Sequence, residues 1–213
     1  MNVYKPIITK ELLQISNIQD EINSFLENGE TIENKIFDKF EDIDINAEDM
    51  EFEKCIFKNC KITGTFEKAV FRDVIFENCD FSNCLMMENS FMRVEIKDSK
   101  FVGCNFTDSR LYHLICDNSI FQYANFNSAT IEDTVFDKSD LTKSFFDNCN
   151  FKNVYFENSK LIETSFFKTK LKDIDVSSSE FSGITTSIED VKGLIVNNFQ
   201  AIELSKLLGI VIK

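Results

Sequence analysis

Seven cysteines and a single histidine are the side chains with the widest chemical reach in this sequence. Cys55 with Cys60, and Cys79 with Cys84, suggest zinc, but all four fall in a row of small, inward-facing positions and no histidine joins them. They read as packed thiols, and no metal is expected. His113 has no second imidazole to complete a triad or a metal site, so it reads as a surface residue. The sequence carries neither a glycine-rich phosphate loop nor a serine-nucleophile motif. Neither enzymatic activity nor a cofactor is expected. The chemistry that remains is ionic: Glu77, Asp117, Asp137 and Glu157 recur at multiples of twenty residues with Lys97 interposed, and Asp98 and Asp133 stand beside the row. A row of carboxylates at fixed spacing suits a cationic surface, provided that some element brings the row together.

The element must be found in a soluble chain of 213 residues, 43% hydrophobic and 28% charged, with 23 Phe, no Trp, one Pro and six Gly. That size permits a core without disulfides or metals. The formal charge of -13 argues against direct binding to nucleic acid or to anionic lipid. The acidity is uneven: residues 1–53 hold 14 acidic and 4 basic side chains, whereas residues 54–213 hold 22 and 19. No stretch is apolar enough to span a membrane and the first residues lack a secretory pattern, so the expected compartment is the cytoplasm. The odd number of cysteines fits reduced thiols there.

Periodicity supplies the element. From Phe71 every fifth position is apolar as far as Phe181, through Phe76, Phe81, Met86, Phe91, Ile96, Phe101 and onward. At the chain's 43% hydrophobic content, chance gives such a run with a probability of roughly a few in a billion. Two residues before each lies a second row, small or β-branched almost throughout: Ala69, Val74, Cys79, Cys84, Val94, Ser99, Cys104 and so on, with Asn89 and Leu114 as departures. Two inward rows per five residues fit neither helix nor strand. They fit a solenoid that turns a corner every five residues. Taking every fourth corner separates Val74, Val94, Leu114, Thr134 and Val154 from Cys79, Ser99, Ser119, Ser139 and Ser159, so a coil is twenty residues with four distinct sides.

Cys79-Asp80-Phe81-Ser82-Asn83, Cys104-Asn105-Phe106-Thr107-Asp108 and Ala124-Asn125-Phe126-Asn127-Ser128 resemble the motif of the pentapeptide-repeat family. The resemblance implies an all-β fold, a right-handed quadrilateral parallel β-helix with a Phe or Leu ladder inside. The expected organisation is an acidic helical cap over 1–39, a β-helix over 40–186 and a C-terminal helix and strand over 187–213. Phe66 follows Ile62 by only four residues around Gly64, which predicts one irregular corner. Roughly seven coils would rise on the order of 30 to 35 Å at the usual strand spacing.

The ends must be covered to prevent end-to-end association. Leu12, Ile15, Ile18, Ile22, Phe25 and Leu26, with Thr9 before and Gly29 after, predict a short amphipathic helix. Residues 190–211 resemble the end of the quinolone-resistance (Qnr-type) branch, where a helix and a strand build a two-fold dimer. The resemblance implies a homodimer interface at Phe199, Ile202, Leu204, Leu207, Leu208, Ile210 and Ile212, with a strand at Ile210-Val211-Ile212; a monomer cap is the alternative.

The same branch is regarded as DNA-like rods that bind DNA gyrase or topoisomerase IV and protect it from quinolones. That role, carried over, makes Glu77, Asp98, Asp117, Asp133, Asp137 and Glu157 substitutes for phosphates. Stacked coils place such carboxylates about 5 Å apart, and two or three neighbouring rows approach the duplex's one charge per 1.7 Å or so. The register runs from 71 to 181 without the loop insertions of the Gram-negative members, so the chain resembles the loopless ones. On the same side Ile75, Ile115, Val135 and Tyr155 form an apolar strip. This strip supports the rival expectation, an interaction scaffold for an unrelated partner.

Overall fold

The computed structural model describes residues 3–41 and 43–211. Its corners explain the period of five. From Lys68 to Asp173 every fifth residue is left-handed, with φ between 49 and 66°. Each turns the chain from one side of the coil to the next, and the residue after it and the one two beyond that both point inward. Asn and Asp, which tolerate this conformation, hold many of the corners; Lys, Glu, Arg, His and Tyr hold others at a steric cost.

The elements in chain order are β1 (Leu13–Ile15), α1 (Ile18–Asn28), β2 (Ile32–Glu33), β3 (Lys35–Asp38), β4 (Ile43–Asn46), β5 (Glu51–Glu53), β6 (Ile56–Lys58) and β7 (Ile62–Thr65). There follow β8 (Val70–Glu77), β9 (Ser90–Lys97), β10 (Arg110–Asp117), β11 (Thr130–Asp137), β12 (Asn150–Glu157), β13 (Lys160–Ile162), β14 (Glu180–Ser182) and α2 (Asn198–Ser205). β8 to β12 stack in parallel, twenty residues apart, so Phe71 lies under Phe91 and Val74 under Val94. Each of these strands spans two sides of the coil and bends at its own left-handed corner. The other two sides are turns joined by isolated bridges such as Lys100↔Ile120 and Asn105↔Asn125.

The irregular corner lies where the spacing predicts it. Ile45 pairs with Gly64 and Phe52 with Phe71, nineteen residues apart instead of twenty. Gly64 has φ 120°, and a Cβ there would lie 2.0 Å from the Ile45 carbonyl oxygen, so the shortened corner requires glycine.

The interior is apolar at its centre and hydrogen-bonded at its corners. Phe106, Phe126, Phe146 and Phe166 stack face to face at 4.8, 4.6 and 5.5 Å, while neighbouring rows meet edge-on, as Phe76 and Phe81 do. The small row adds a coil-to-coil ladder. Ser159 Oγ accepts from Ser139 N at 3.0 Å and donates to Phe136 O at 3.0 Å, and Ser99, Ser119 and Ser179 accept from the coil before in the same way. The inward thiols use the same acceptors: Cys104 donates to Phe81 O and Cys149 to Phe126 O. Burial pushes the thiols of Cys55, Cys84 and Cys149 up to about 12.

Both ends depart from the expected boundaries. The solenoid starts before residue 40: Ile32 and Phe37 lie beneath Phe52 and Phe57. The predicted N-terminal helix is shorter than its apolar pattern, because Leu13 to Ile15 extend the sheet under Lys35 to Phe37. The helix begins after Asn17, whose side chain accepts from Gln19 N, and ends at left-handed Gly29. The coils also run past 186, to the bridge Asp175↔Ile195, giving about eight turns rather than seven. Helix α2 closes the top. Asn197 and Gln200 form a reciprocal capping box, and buried Gln200 donates to Val176 O and Ser179 O at 2.8 Å each. Ile210 and Val211 form no strand, and Ile212 lies outside the described residues.

Candidate interaction face

One side of the solenoid collects most of the residues singled out by spacing. It is bounded by the corner row Asp73, Arg93, His113, Asp133, Asn153 and the corner row Asn78, Asp98, Asn118, Lys138, Asn158. Between them two outward rows run up the coils in register. One reads Ile56, Ile75, Glu95, Ile115, Val135, Tyr155 and the other Lys58, Glu77, Lys97, Asp117, Asp137, Glu157. Twenty-residue spacing therefore does bring Asp117, Asp137 and Glu157 into consecutive coils, whereas Lys97 separates Glu77 from them. Asp98 and Asp133 stand on opposite edges of the side.

The acids are less bare than their sequence spacing suggests. Lys58 Nζ lies 3.2 Å from Glu77. Lys138 reaches Asp137 at 2.8 Å and Asp117 at 4.0 Å. Asn158 donates to Asp137, Asn118 to Asp98 and Asn153 to Asp133. Lys138 first, then Asn158, hold the Asp137 carboxyl below its ordinary value. Glu132 is paired with Lys152 from the coil above. Partners twenty residues away in sequence are neighbours here, so a count of acids along the chain overstates the uncompensated charge.

The apolar strip also differs from expectation. Val135 is buried at 7% exposure, Ile75, Ile115 and Tyr155 are half-buried, and Glu95 interrupts the row. Residues stacked at coil spacing shield one another, leaving a smooth wall rather than an open apolar patch. The more exposed aromatics lie elsewhere: Tyr123 at 53%, Phe145 and Phe167 at 43%, with Lys143 over the Tyr123 ring and Lys168 over Phe167. Sequence reasoning missed these three, because a repeat rich in inward Phe hides the few that point outward.

A second feature missed is the start of the chain. Residues 3–10 pass along the corner row at the edge of this side. Thr9 Oγ1 donates to Asn34, Ile7 N donates to Asp73 at 2.9 Å, and the Tyr4 ring meets the His113 ring edge-on at 4.7 Å. His113, expected on the open surface, is therefore partly covered. Asp73 is buried, and Arg93 Nε and Nη2 bind its two oxygens. Burial pushes the Asp73 carboxyl up, but the Arg93 and Ile7 hydrogen bonds outweigh it and hold the group below its ordinary value.

At the C-terminus, Phe199 (81%), Ile202 (46%), Leu208 (62%) and Ile210 (50%) are exposed, as an interface would require. Leu204 and Leu207 instead line a small cavity against Phe181 and Ile184 of the last coil.

The cysteines that suggest zinc are all free and buried. Among the described residues no group of three or more His, Cys, Asp or Glu side chains could hold a metal ion. No helix of the described residues is long and apolar enough to cross a membrane.

A family model described as pentapeptide repeats matches residues 99–137 and 134–173, with eight copies. No curated protein matches the chain. Among solved structures, a trypsin-treated form of QnrB1, a plasmid-mediated fluoroquinolone resistance protein, aligns at TM-score 0.49 and 23% identity, over 87% of this chain and 92% of its own. Full-length QnrB1 aligns at 0.45 and 21%, over 85% and 91%. HetL, a pentapeptide repeat protein involved in heterocyst differentiation regulation in the cyanobacterium Nostoc sp., aligns at 0.41 and 9%, over 86% and 98%. The match covers residues 99–173, and these repeats share one register with the coils directly above and below them.

Proposed function

We propose that this protein is a non-catalytic, cytoplasmic interaction rod that docks on the DNA-binding surface of a type II topoisomerase, DNA gyrase or topoisomerase IV, in place of DNA. The observation that carries the reading is the run Asp117, Asp137, Glu157, three acids in register at coil spacing beside the smooth wall of Ile115, Val135 and Tyr155. Such a run meets a cationic groove along the axis, with Asp98, Asp133 and Glu77 at its margins. Lys97 and Lys138 dilute the charge well below that of a duplex, so the wall contributes shape and apolar contact alongside the acids. Two copies joined through Phe199, Ile202, Leu208 and Ile210 would form a rod of twice the length.

The test is DNA supercoiling by purified gyrase with increasing amounts of this protein, with and without a quinolone, at two salt concentrations. Salt-sensitive inhibition or rescue from the drug, abolished by Asp117→Lys with Asp137→Lys, supports the reading. Absence of any effect at large excess overturns it for that enzyme. Sedimentation of Phe199→Asp beside the wild type tests the dimer.

A second reading has its own observation. Tyr123, Phe145 and Phe167 are exposed on the turn-built sides, where an interaction scaffold would seat an unrelated partner. Partner capture that persists in high salt and is lost on Phe145→Ser favours it.

A further inference from the structure

The way in which the first residues are held describes a docking site of its own. Residues 3–10 lie lengthwise across the coils, touching one corner row at three levels: Thr9 at Asn34, Ile7 at Asp73 and Tyr4 at His113. Neighbouring levels among these three are two coils apart. Two coils rise about 10 Å, which two or three extended residues span. The anchor is unusual for a surface: the Asp73 side chain is only 3% exposed, already ion-paired to Arg93, and offers Oδ1 to a single main-chain N–H.

The segment fills this track loosely. It forms no strand pairing among the described residues, and Tyr4 and Ile7 remain 60% and 63% exposed. One main-chain hydrogen bond, one hydroxyl contact and one ring contact contribute little beyond what a competing segment offers. The row beneath it is mixed in charge, Lys54 and Arg93 alternating with Asp73 and Asp133, so the main-chain and ring contacts, not net charge, select the occupant. Asp133 continues the same corner one coil past His113, so the track extends beyond the last ring contact.

We propose that this corner row is a docking track for an extended peptide bearing an aromatic residue, and that the chain's own N-terminal segment occupies it until a partner's segment takes its place. Recognition is by an aromatic edge on His113 and, three residues later, a backbone N–H on Asp73. Tethering keeps the resident segment at an effective concentration on the order of millimolar, so a partner must bind elsewhere as well or bind tightly. The proposal stands independently of any topoisomerase.

A fluorescein-labelled peptide, Val-Tyr-Lys-Pro-Ile-Ile-Thr-Lys, titrated by anisotropy into the full chain and into Ile7→Pro tests it. The substitution removes the N–H that Asp73 accepts and so unseats the resident segment; Tyr4→Ala unseats it without altering the backbone. The peptide is expected to bind both variants at least ten-fold more tightly than the wild type. Methylating the nitrogen of its first isoleucine should remove that gain. Equal binding to wild type and variants, or indifference to the methyl group, overturns the track. Binding to none also overturns it, and amide exchange at Ile7 in the wild type then tells a fixed segment (protected) from an unseated one (unprotected).

Discussion

Arg93 grips both carboxylate oxygens of Asp73, Nε at 2.7 Å and Nη2 at 2.6 Å, from the coil directly above. Since the carboxylate is buried and the guanidinium a quarter exposed, Arg93→Met leaves a buried charge without its main partner. The expected loss is about 2 kcal/mol in urea unfolding at pH 7. The pair also sets an acid limit. Asp73 titrates below its unfolded value, so its contribution is complete above pH ~3.9 and is lost as the pH falls through the lowered folded value. Unfolding measured from pH 5 to pH 2 should show a steeper loss in the wild type than in Asp73→Asn.

The ladder of inward hydroxyls predicts a graded response. Ser159→Ala strands the Ser139 N–H in the interior and removes the hydroxyl proton that the Phe136 and Glu157 carbonyls share, and should cost about 1 to 2 kcal/mol. Ser178→Ala, in the next coil, removes an acceptor from the exposed N–H of Asn158, the neighbour of Ser159. Water replaces that bond, so thermal unfolding should hardly change.

Left-handed corners filled by ill-suited residues leave stability unrealised. Glu88 has φ 57° and an exposed side chain. Glu88→Gly should raise stability by about 0.5 kcal/mol, the steric relief exceeding the entropy lost by glycine, and Glu88→Val should lower it. Thermal melts of the two variants against the wild type give the comparison.

Lys138 decides how acidic the candidate face is, because it neutralises Asp137 and reaches Asp117. Lys138→Gln should leave the melting temperature unchanged. It should strengthen binding to a cationic partner several-fold at low salt and steepen the salt dependence. Weaker binding would mean that the lysine itself meets the partner.

What was legible in the sequence was whatever repeats along one chain. Phe71 to Phe181 announced their row because an inward position tolerates few residue types. Ile32 and Phe37 keep the same spacing as Phe52 and Phe57, yet the slip between Phe37 and Ile43 breaks the pattern, so periodicity alone puts the start of the solenoid too late. Outward positions carry no such constraint. Nothing in the residue types at 73 and 93 distinguishes a buried ion pair from two surface charges, and Lys138 could not be matched to Asp117 without the coil. The Tyr4 to Thr9 contacts lie outside the repeat altogether, where periodicity has nothing to say.

The twenty-residue offset between stacked partners also bears on how the chain reaches this structure. Most β proteins must join segments far apart in sequence, and their folding is slow for that reason. Here nearly every strand waits only one coil for its neighbour, a relative contact order of about 0.1, which is the range of helical bundles. Folding can begin at any pair of coils and grow in both directions like a zipper, each added turn burying the ring left open by the last.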